Sequence, residues 1–399
     1  MAEIVDIAMA RRAGDATALR ARTEAACFEP PLTILTSIDI GDWRGLGARA
    51  IEPNGYYLPD WELAVNATAP GRTGVSALSA RNGDKLIGLM PVVPLWRGAK
   101  IPLPALASAH PYGTLCTPLL DRDEAENAAQ RLLEVARASG ARALLLREVS
   151  LDGRTMKAFN SVLRGDGLRS RVLSWHLRAS LDARGDADEL LHEALSGKKL
   201  KELRRQRHRL AEHGDIVFNV ARSPQEVASA LEAFLKLEAG GWKGGRGTAL
   251  AQVAGDAAFI RRAAPALART GNCEIVTLRA GDTPVGAGIV LRHLTRAFFF
   301  KIGVDERFAR FSPGVQLTLD LTRHLCADPL IASADSTAAP DHPMINPIWR
   351  GRFAIGDVLI PLRQNDPLFT LIHAALTART LARKTARGAV HCIRALRKR

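Results

Sequence analysis

The 399-residue chain lacks the patterns of a metal centre, a disulfide framework or a membrane span. Its five cysteines (Cys27, Cys116, Cys273, Cys326 and Cys392) are scattered with no C-x-x-C pair. That spacing excludes a structural zinc site and predicts reduced thiols in a cytoplasmic protein. No cluster of His, Cys and carboxylates has ligand spacing, so no metal is expected. No apolar run reaches the roughly 18 residues of a membrane span, and the opening MAEIVDIAMARRAG lacks the apolar core of a secretory signal. No G-K-[ST] occurs, which excludes a P-loop. Tyrosine is scarce: Tyr56, Tyr57 and Tyr112 all fall in the first half.

Acidic residues are missing where basic ones collect. Lys and Arg number 55 against 41 Asp and Glu, a net charge of +14. After Asp366 there is no acid, yet Arg379, Arg383, Lys384, Arg387, Arg394, Arg397, Lys398 and Arg399 follow. A second basic block, SGKKLKELRRQRHRL, runs from Ser196 to Leu210. Its Leu195, Leu200, Leu203 and Leu210 are expected to face the protein, leaving a solvated cationic face. Such charge implies an anionic partner. The tail mixes Leu371, Ile372, Leu376, Leu381, Val390, Ile393 and Leu396 with those cations, and so fits a helix that adsorbs to an anionic membrane surface or binds a phosphorylated regulator through Arg379, Arg383 and Arg387.

Comparing the chain with itself shows a repeat. VSALSARNGDKLIGLMPVV, starting at Val75, aligns without gaps on CEIVTLRAGDTPVGAGIVL, starting at Cys273. Arg81, Gly83, Asp84 and Gly88 fall on Arg279, Gly281, Asp282 and Gly286, and each stretch reads as a strand, a Gly-Asp turn and a second strand. The second half continues as β-α-α-β-β-β-α-β with a late return to strand. Ser223-Pro224-Gln225-Glu226 is the capping box of its first helix. The expectation is an α/β protein of two tandem units, each a mixed, mainly antiparallel sheet flanked by helices. The divisions fall at 1–29 (an extension), 30–188, 189–362 and a basic amphipathic tail at 363–399.

That first helix ends in LEAGGWKGGRGTAL, where five glycines surround Trp242 and Lys243. A helix stop would account for Gly240. A lid over a substrate would account for the rest, with Trp242 as cover, Lys243 or Arg246 meeting an anion, and the glycines as hinges.

The order of elements resembles the GNAT acyltransferase fold. In that fold a splayed strand and the following helix N-terminus hold the pyrophosphate of acyl-CoA through amide N–H groups and the helix dipole. The matching stretch here is FFFKIGVDERFARFSPGVQLTLDL, which offers Arg310, Ser312, Gly314, Val315, Gln316 and Leu317. Pro313 can donate no N–H. EPNGYYLPDW, HRLAEHGD, LEAGGWKGGRGTAL, SPGVQL and DHPMI further resemble the CelD-like acetyltransferases, a branch related to FemAB-type transferases and associated with exopolysaccharide or cellulose synthesis. The first unit has no matching glycine-opened helix and is expected to be a degenerate copy that shapes the acceptor cleft.

The resemblance implies acyl-CoA-dependent N-acyl transfer, N-acetylation in kind, to an amino sugar or another envelope precursor. Direct transfer needs a base for the amine proton and an acid for the departing thiolate. Glu238, Asp335 and His342 are the candidate bases. Ser336, Ser333, a water, or Tyr112 reaching across the cleft are candidates for the tyrosine acid the superfamily often uses. Two alternatives stay open: a FemAB-like aminoacyl-tRNA-dependent transferase using the basic helix for RNA, and a non-catalytic GNAT-like ligand-binding module.

Overall fold

A computed structural model of the protein describes residues 32–69, 73–109, 112 and 114–396, with side chains except those of Lys384 and residues 386–396. The expected extension at 1–29 lies outside the described residues, as do Arg397, Lys398 and Arg399 and the side chains of Arg387, Val390, Ile393, Arg394 and Leu396.

The first half runs β1 (Thr33–Ile34), α1 (Ile40–Ala48), α2 (Pro59–Thr68), β2 (Ser76–Asn82), β3 (Lys85–Pro94), α3 (Leu95–Ala99), β4 (Ala105–Ser108), β5 (Leu119–Leu120), α4 (Ala125–Ala138), β6 (Ala143–Ser150), α5 (Arg154–Gly165) and β7 (Arg171–Asp182). The second half opens with helices α6 (Ala187–Ala194) and α7 (Gly197–Leu210), then β8 (Ile216–Ala221), α8 (Pro224–Gly240), the single turn α9 (Trp242–Gly245) and α10 (Ala254–Ala268). It continues with β9 (Cys273–Ala280), β10 (Thr283–His293), β11 (Arg296–Val304), α11 (Pro313–Cys326), β12 (Ser333–Asp335), β13 (Gly351–Pro361) and α12 (Pro367–Leu396).

Local chemistry explains the elements that position the site. The capping box at α8 is formed: Ser223 Oγ accepts from the Glu226 amide, and the Glu226 carboxylate accepts from the Ser223 amide. In the repeated hairpins, Gly83 and Gly281 take φ of +56° and +57°, the left-handed region that glycine enters without cost. Arg81 and Arg279 each donate to the carbonyl of the turn aspartate, Asp84 and Asp282. The shared Arg-x-Gly-Asp letters are thus one clamp built twice.

The strands form one sheet in the order β1-β2-β3-β4-β6-β13-β7-β12-β11-β10-β9-β8, with β5 against β3. The halves repeat each other: β4 pairs parallel with β6, and β11 parallel with β12. They also exchange strands. β13, late in the chain, lies between β6 and β7, while β7, from the first half, pairs with β12. Each half is completed by the other, and α2 packs on α10, with Trp61 edge-on to Phe259 at 4.9 Å between ring centres.

Helices α4 and α5 cover the first half through Leu132, Leu133 and Phe159. In the second half α6, α7 and α11 cover the sheet, and Leu195, Leu200, Leu203 and Leu210 do face the protein. The tail helix α12 spends part of its apolar face on the sheet, because Phe369, Ile372 and Leu376 are buried against Ala107, Leu145 and Leu359. Leu371 and Leu381 remain exposed. No described helix is long and apolar enough to cross a membrane.

His293, at the end of β10, joins the halves. Its Nδ1 accepts from the Asn54 amide at 2.8 Å and its Nε2 lies 3.0 Å from the Gly47 carbonyl, so the ring sits neutral with the proton on Nε2. Burial brings its pKa from near 6.5 down to about 4. The unfolded chain therefore binds this proton first as pH falls. The neutral ring's contribution is intact above about pH 6.5 and is lost progressively down to about pH 4, by roughly 3 kcal/mol. Urea unfolding of wild type and His293→Gln across that window checks this: the wild-type slope should flatten in the variant.

Candidate functional site

The site begins where two strands part. β11 and β12 stay paired from Arg296 and Ser333 to Phe298 and Asp335. Thr337 then takes φ of +51°, its hydroxyl donates to the Phe299 carbonyl at 2.6 Å, and the chain turns away while β11 continues to Val304. The parting opens a pocket of about 520 Å³ between the end of β11, the end of α8, the turn α9, the first turn of α11 and the loop at 342–344.

The first turn of α11 supplies amides. A helix start leaves its early N–H groups without intrahelical partners, here those of Gly314 and Val315 after Pro313. Gly314 is packed so closely that a Cβ would meet Met344 Sδ at 3.1 Å and Val304 Cγ1 at 3.3 Å. The Gln316 amide is already bonded to the Ser312 carbonyl at 3.0 Å. This corrects the expectation that Gln316 would offer its N–H to a phosphate. Its side chain is buried and donates to the Leu203 carbonyl at 2.8 Å, which ties α11 to the basic helix α7. Ser312 lines the pocket at φ +53° and makes no cap bond with its side chain, so it is not the ordinary N-cap its type suggests.

The glycine-rich stretch after α8 is also in the pocket. Lys243 Nζ donates to the Ile302 carbonyl at 2.8 Å and to Glu238 Oε1 at 3.3 Å. Lys301 reaches the same oxygen at 3.1 Å, while Glu238 Oε2 accepts from the Leu250 amide at 2.8 Å. One fully buried carboxylate thus faces two ammonium groups. Burial, offset by Glu238 and reinforced by the Lys301 charge, lowers the Lys243 pKa. His342 Nδ1 accepts from the Met344 amide at 3.3 Å, which leaves the ring proton on Nε2. Burial and the nearby Lys243 charge lower its pKa, favouring the neutral ring.

The glycines of this stretch have separate reasons. A Cβ on Gly244 would collide with the Ala239 carbonyl, and Gly247 takes φ of +69°. Trp242 is 55% exposed and carries Arg246 over its ring at 4.9 Å, so it does not pack back onto α8. Gly244→Ala is expected to push α9 off the end of α8, at a cost of about 1–3 kcal/mol. A matching shift in Trp242 accessibility, read by fluorescence quenching, would accompany it. Unchanged quenching and stability would show that the turn is not packed this tightly.

Of the residues proposed from sequence, the pocket brings together Glu238, Trp242, Lys243, Ser312, Gly314, Val315 and His342. The others lie elsewhere. Arg310 is exposed over the Phe311 ring, and Leu317 is in the core. Asp335 is buried in an ion pair with Arg178. Ser336 is buried beside it, its amide bonded to the Ala179 carbonyl. Tyr112 does cross between the halves, but its hydroxyl meets Asp256 on α10 and its ring stacks on Phe259.

Sequence reasoning missed Lys301, Met344 and Glu306. Glu306 accepts from the Trp242 amide at 2.6 Å across 64 residues. It also lines a second groove of about 690 Å³ that shares Leu237 and Val304 with the first. The adjacent acids Asp305 and Glu306 in VDERF were the visible signal; the partner of Glu306 was not. Among the described residues no group of three or more His, Cys, Asp or Glu is placed to hold a metal ion.

A strand that parts from its neighbour beside a glycine-opened helix, within this element order, is the framework of a GNAT-type acyltransferase. Residues 197–341 match the family described as acetyltransferase (GNAT) domain, so the second half of the chain carries a domain of that type. No curated protein sequence matches the chain. Among solved structures it is similar to FemX, at 13% identity over 84% of this chain and 98% of that one, with a TM-score of 0.54. It is also similar to a C-terminal domain from Agrobacterium fabrum described as that of a lysylphosphatidylglycerol synthetase, at 14% identity over 84% and 95%, with a TM-score of 0.52. At these identities the likeness concerns the fold.

Proposed function

We propose that the protein transfers an acyl group from acyl-CoA to a primary amine, on an amino sugar or a related envelope precursor. The observation that carries this reading is the meeting of the free Gly314 and Val315 amides with the slot beside β11. Paired N–H groups at a helix start suit a pyrophosphate, and the apolar walls of Ile302, Val304 and Met344 suit an acyl-bearing arm. The acceptor would enter by the second groove, where Glu306 serves both spaces.

In the reaction the amine nitrogen bonds to the thioester carbonyl carbon, the C–S bond breaks, and the amine loses a proton while the thiolate gains one. Glu238 is a poor base because its oxygens are committed to Lys243, Lys301 and the Leu250 amide. Glu306, exposed and bonded among the described residues only through one oxygen to a backbone amide, suits proton acceptance better. His342, with its proton on Nε2, suits donation to the thioester oxygen or the leaving sulfur.

A second reading has its own observation. The cationic face of α7, with Lys198, Lys199, Lys201, Arg204, Arg205 and Arg209 exposed, is tied to α11 through Gln316 and through Arg207 to Asp320 at 2.8 Å. A donor with a long polyanionic body, an aminoacyl-tRNA, would use that face. Parallel assays with labelled acetyl-CoA and labelled aminoacyl-tRNA over a panel of amino sugars separate the two. Transfer from acetyl-CoA, with saturable binding of desulfo-CoA, supports the first. Transfer from tRNA alone, weakened by Lys199→Glu/Arg205→Glu, replaces it with the second.

A further inference from the structure

The link from α5 to β7 and the turn between β13 and α12 enclose a pocket of about 780 Å³ that shares no residue with the acyl-transfer pocket. Its charged lining is Arg169, Arg171, Arg363 and Asp366. The aspartate is spent. Its side chain is 4% exposed, pairs with Arg142 at 3.2 Å and accepts from the Leu368 amide at 2.9 Å. The three arginines have no carboxylate partner among the described residues. Some surface arginines elsewhere are paired, as at Arg184 with Asp182 and Arg261 with Glu232.

Three guanidinium groups gathered around one concavity repel each other unless an anion sits between them. One of them is held in place. Arg171 starts β7, opposite Leu359 of β13, and its guanidinium lies over the Phe369 ring at 5.4 Å. Asn365 takes φ of +49° to set the turn that carries Arg363 beside them. A preorganised planar fork favours phosphate, which accepts two parallel hydrogen bonds from each guanidinium. The volume lies in the range that holds a nucleotide or a phosphorylated headgroup.

The geometry points to a binding site for a phosphate-bearing ligand at Arg169, Arg171 and Arg363, separate from acyl transfer. The ligand is either a free nucleotide or the headgroup of an anionic phospholipid, and the site stands at the foot of the basic helix α12. It does not depend on the acyltransferase reading.

The test is calorimetric titration with pyrophosphate and with ATP, alongside co-sedimentation with phosphatidylglycerol vesicles against phosphatidylcholine vesicles. Wild type, Gly314→Val, Arg171→Ala/Arg363→Ala and Arg379→Gln/Arg383→Gln are compared, each checked for folding by circular dichroism. Binding that persists in Gly314→Val and weakens about tenfold or more in Arg171→Ala/Arg363→Ala supports the site. If ATP shows that pattern the ligand is free; if only anionic vesicles show it, the ligand is a headgroup. Absence of binding by every probe at low salt overturns the proposal. So does binding that ignores the pocket arginines, or that follows only Arg379 and Arg383.

Discussion

Replacing Gly314 by valine is expected to lower kcat/KM for acyl transfer by about 100-fold in a protein that still folds. A phosphate at the first turn of α11 needs close approach to the Gly314 and Val315 amides, and the Cβ position at Gly314 already faces Met344 Sδ at 3.1 Å. A larger side chain fills the slot. Two charge-assisted hydrogen bonds lost together are worth about 3 kcal/mol, which sets the size of the effect. Met344 is flexible and can yield, so the fold should survive. Gly314→Ala should be intermediate, and Met344→Ala combined with Gly314→Ala should recover part of the loss. Steady-state kinetics with thermal unfolding as control make the measurement. Full activity in a folded Gly314→Val protein would remove the pyrophosphate from this helix.

Asp335→Ala should be the most damaging single change to stability, at about 3–5 kcal/mol. Arg178 and Asp335 are each 1% exposed and paired on neighbouring strands β7 and β12, at the place where the two halves exchange strands. Arg178 also donates to the Thr114 carbonyl at 2.7 Å and lies near the Phe353 ring of β13. Removing the carboxylate strands a buried guanidinium in the seam. Arg178→Met together with Asp335→Leu should recover much of the loss, because no charge is then left buried. Urea unfolding of the single and double variants decides it. A loss below about 1 kcal/mol for Asp335→Ala would mean that water reaches the seam.

Much of this architecture is legible in the letters. The capping box of α8, the Gly-Asp hairpins and the periodic leucines of α7 are local signals, and each depends on residues within a few positions of one another. The glycine-rich stretch after α8 and the first turn of α11 were legible as marked segments for the same reason. Glycines beside a tryptophan and a lysine, and a glycine opening a helix after a strand, are unusual enough to mark themselves. The candidate bases were harder. Glu238, Asp335 and His342 look alike as titratable residues near turns, but their partners distinguish them. Asp335 neutralises Arg178 from 157 residues away, and Glu238 holds Lys301 from 63 residues away.

The sequence by itself determined the repeat, the order of elements and the type of fold, because hydrophobic period, capping and turn chemistry act over short distances. Only the tertiary structure decided which strands complete which half. β13 and β7 carry no letters that name their neighbours, and the exchange is settled by burying Val358, Ile360, Ala179 and Leu181 against opposite halves. The same holds for charge. The sequence counted the cations, while the folded chain decided which of them are paired and which face a pocket whose one carboxylate is already taken.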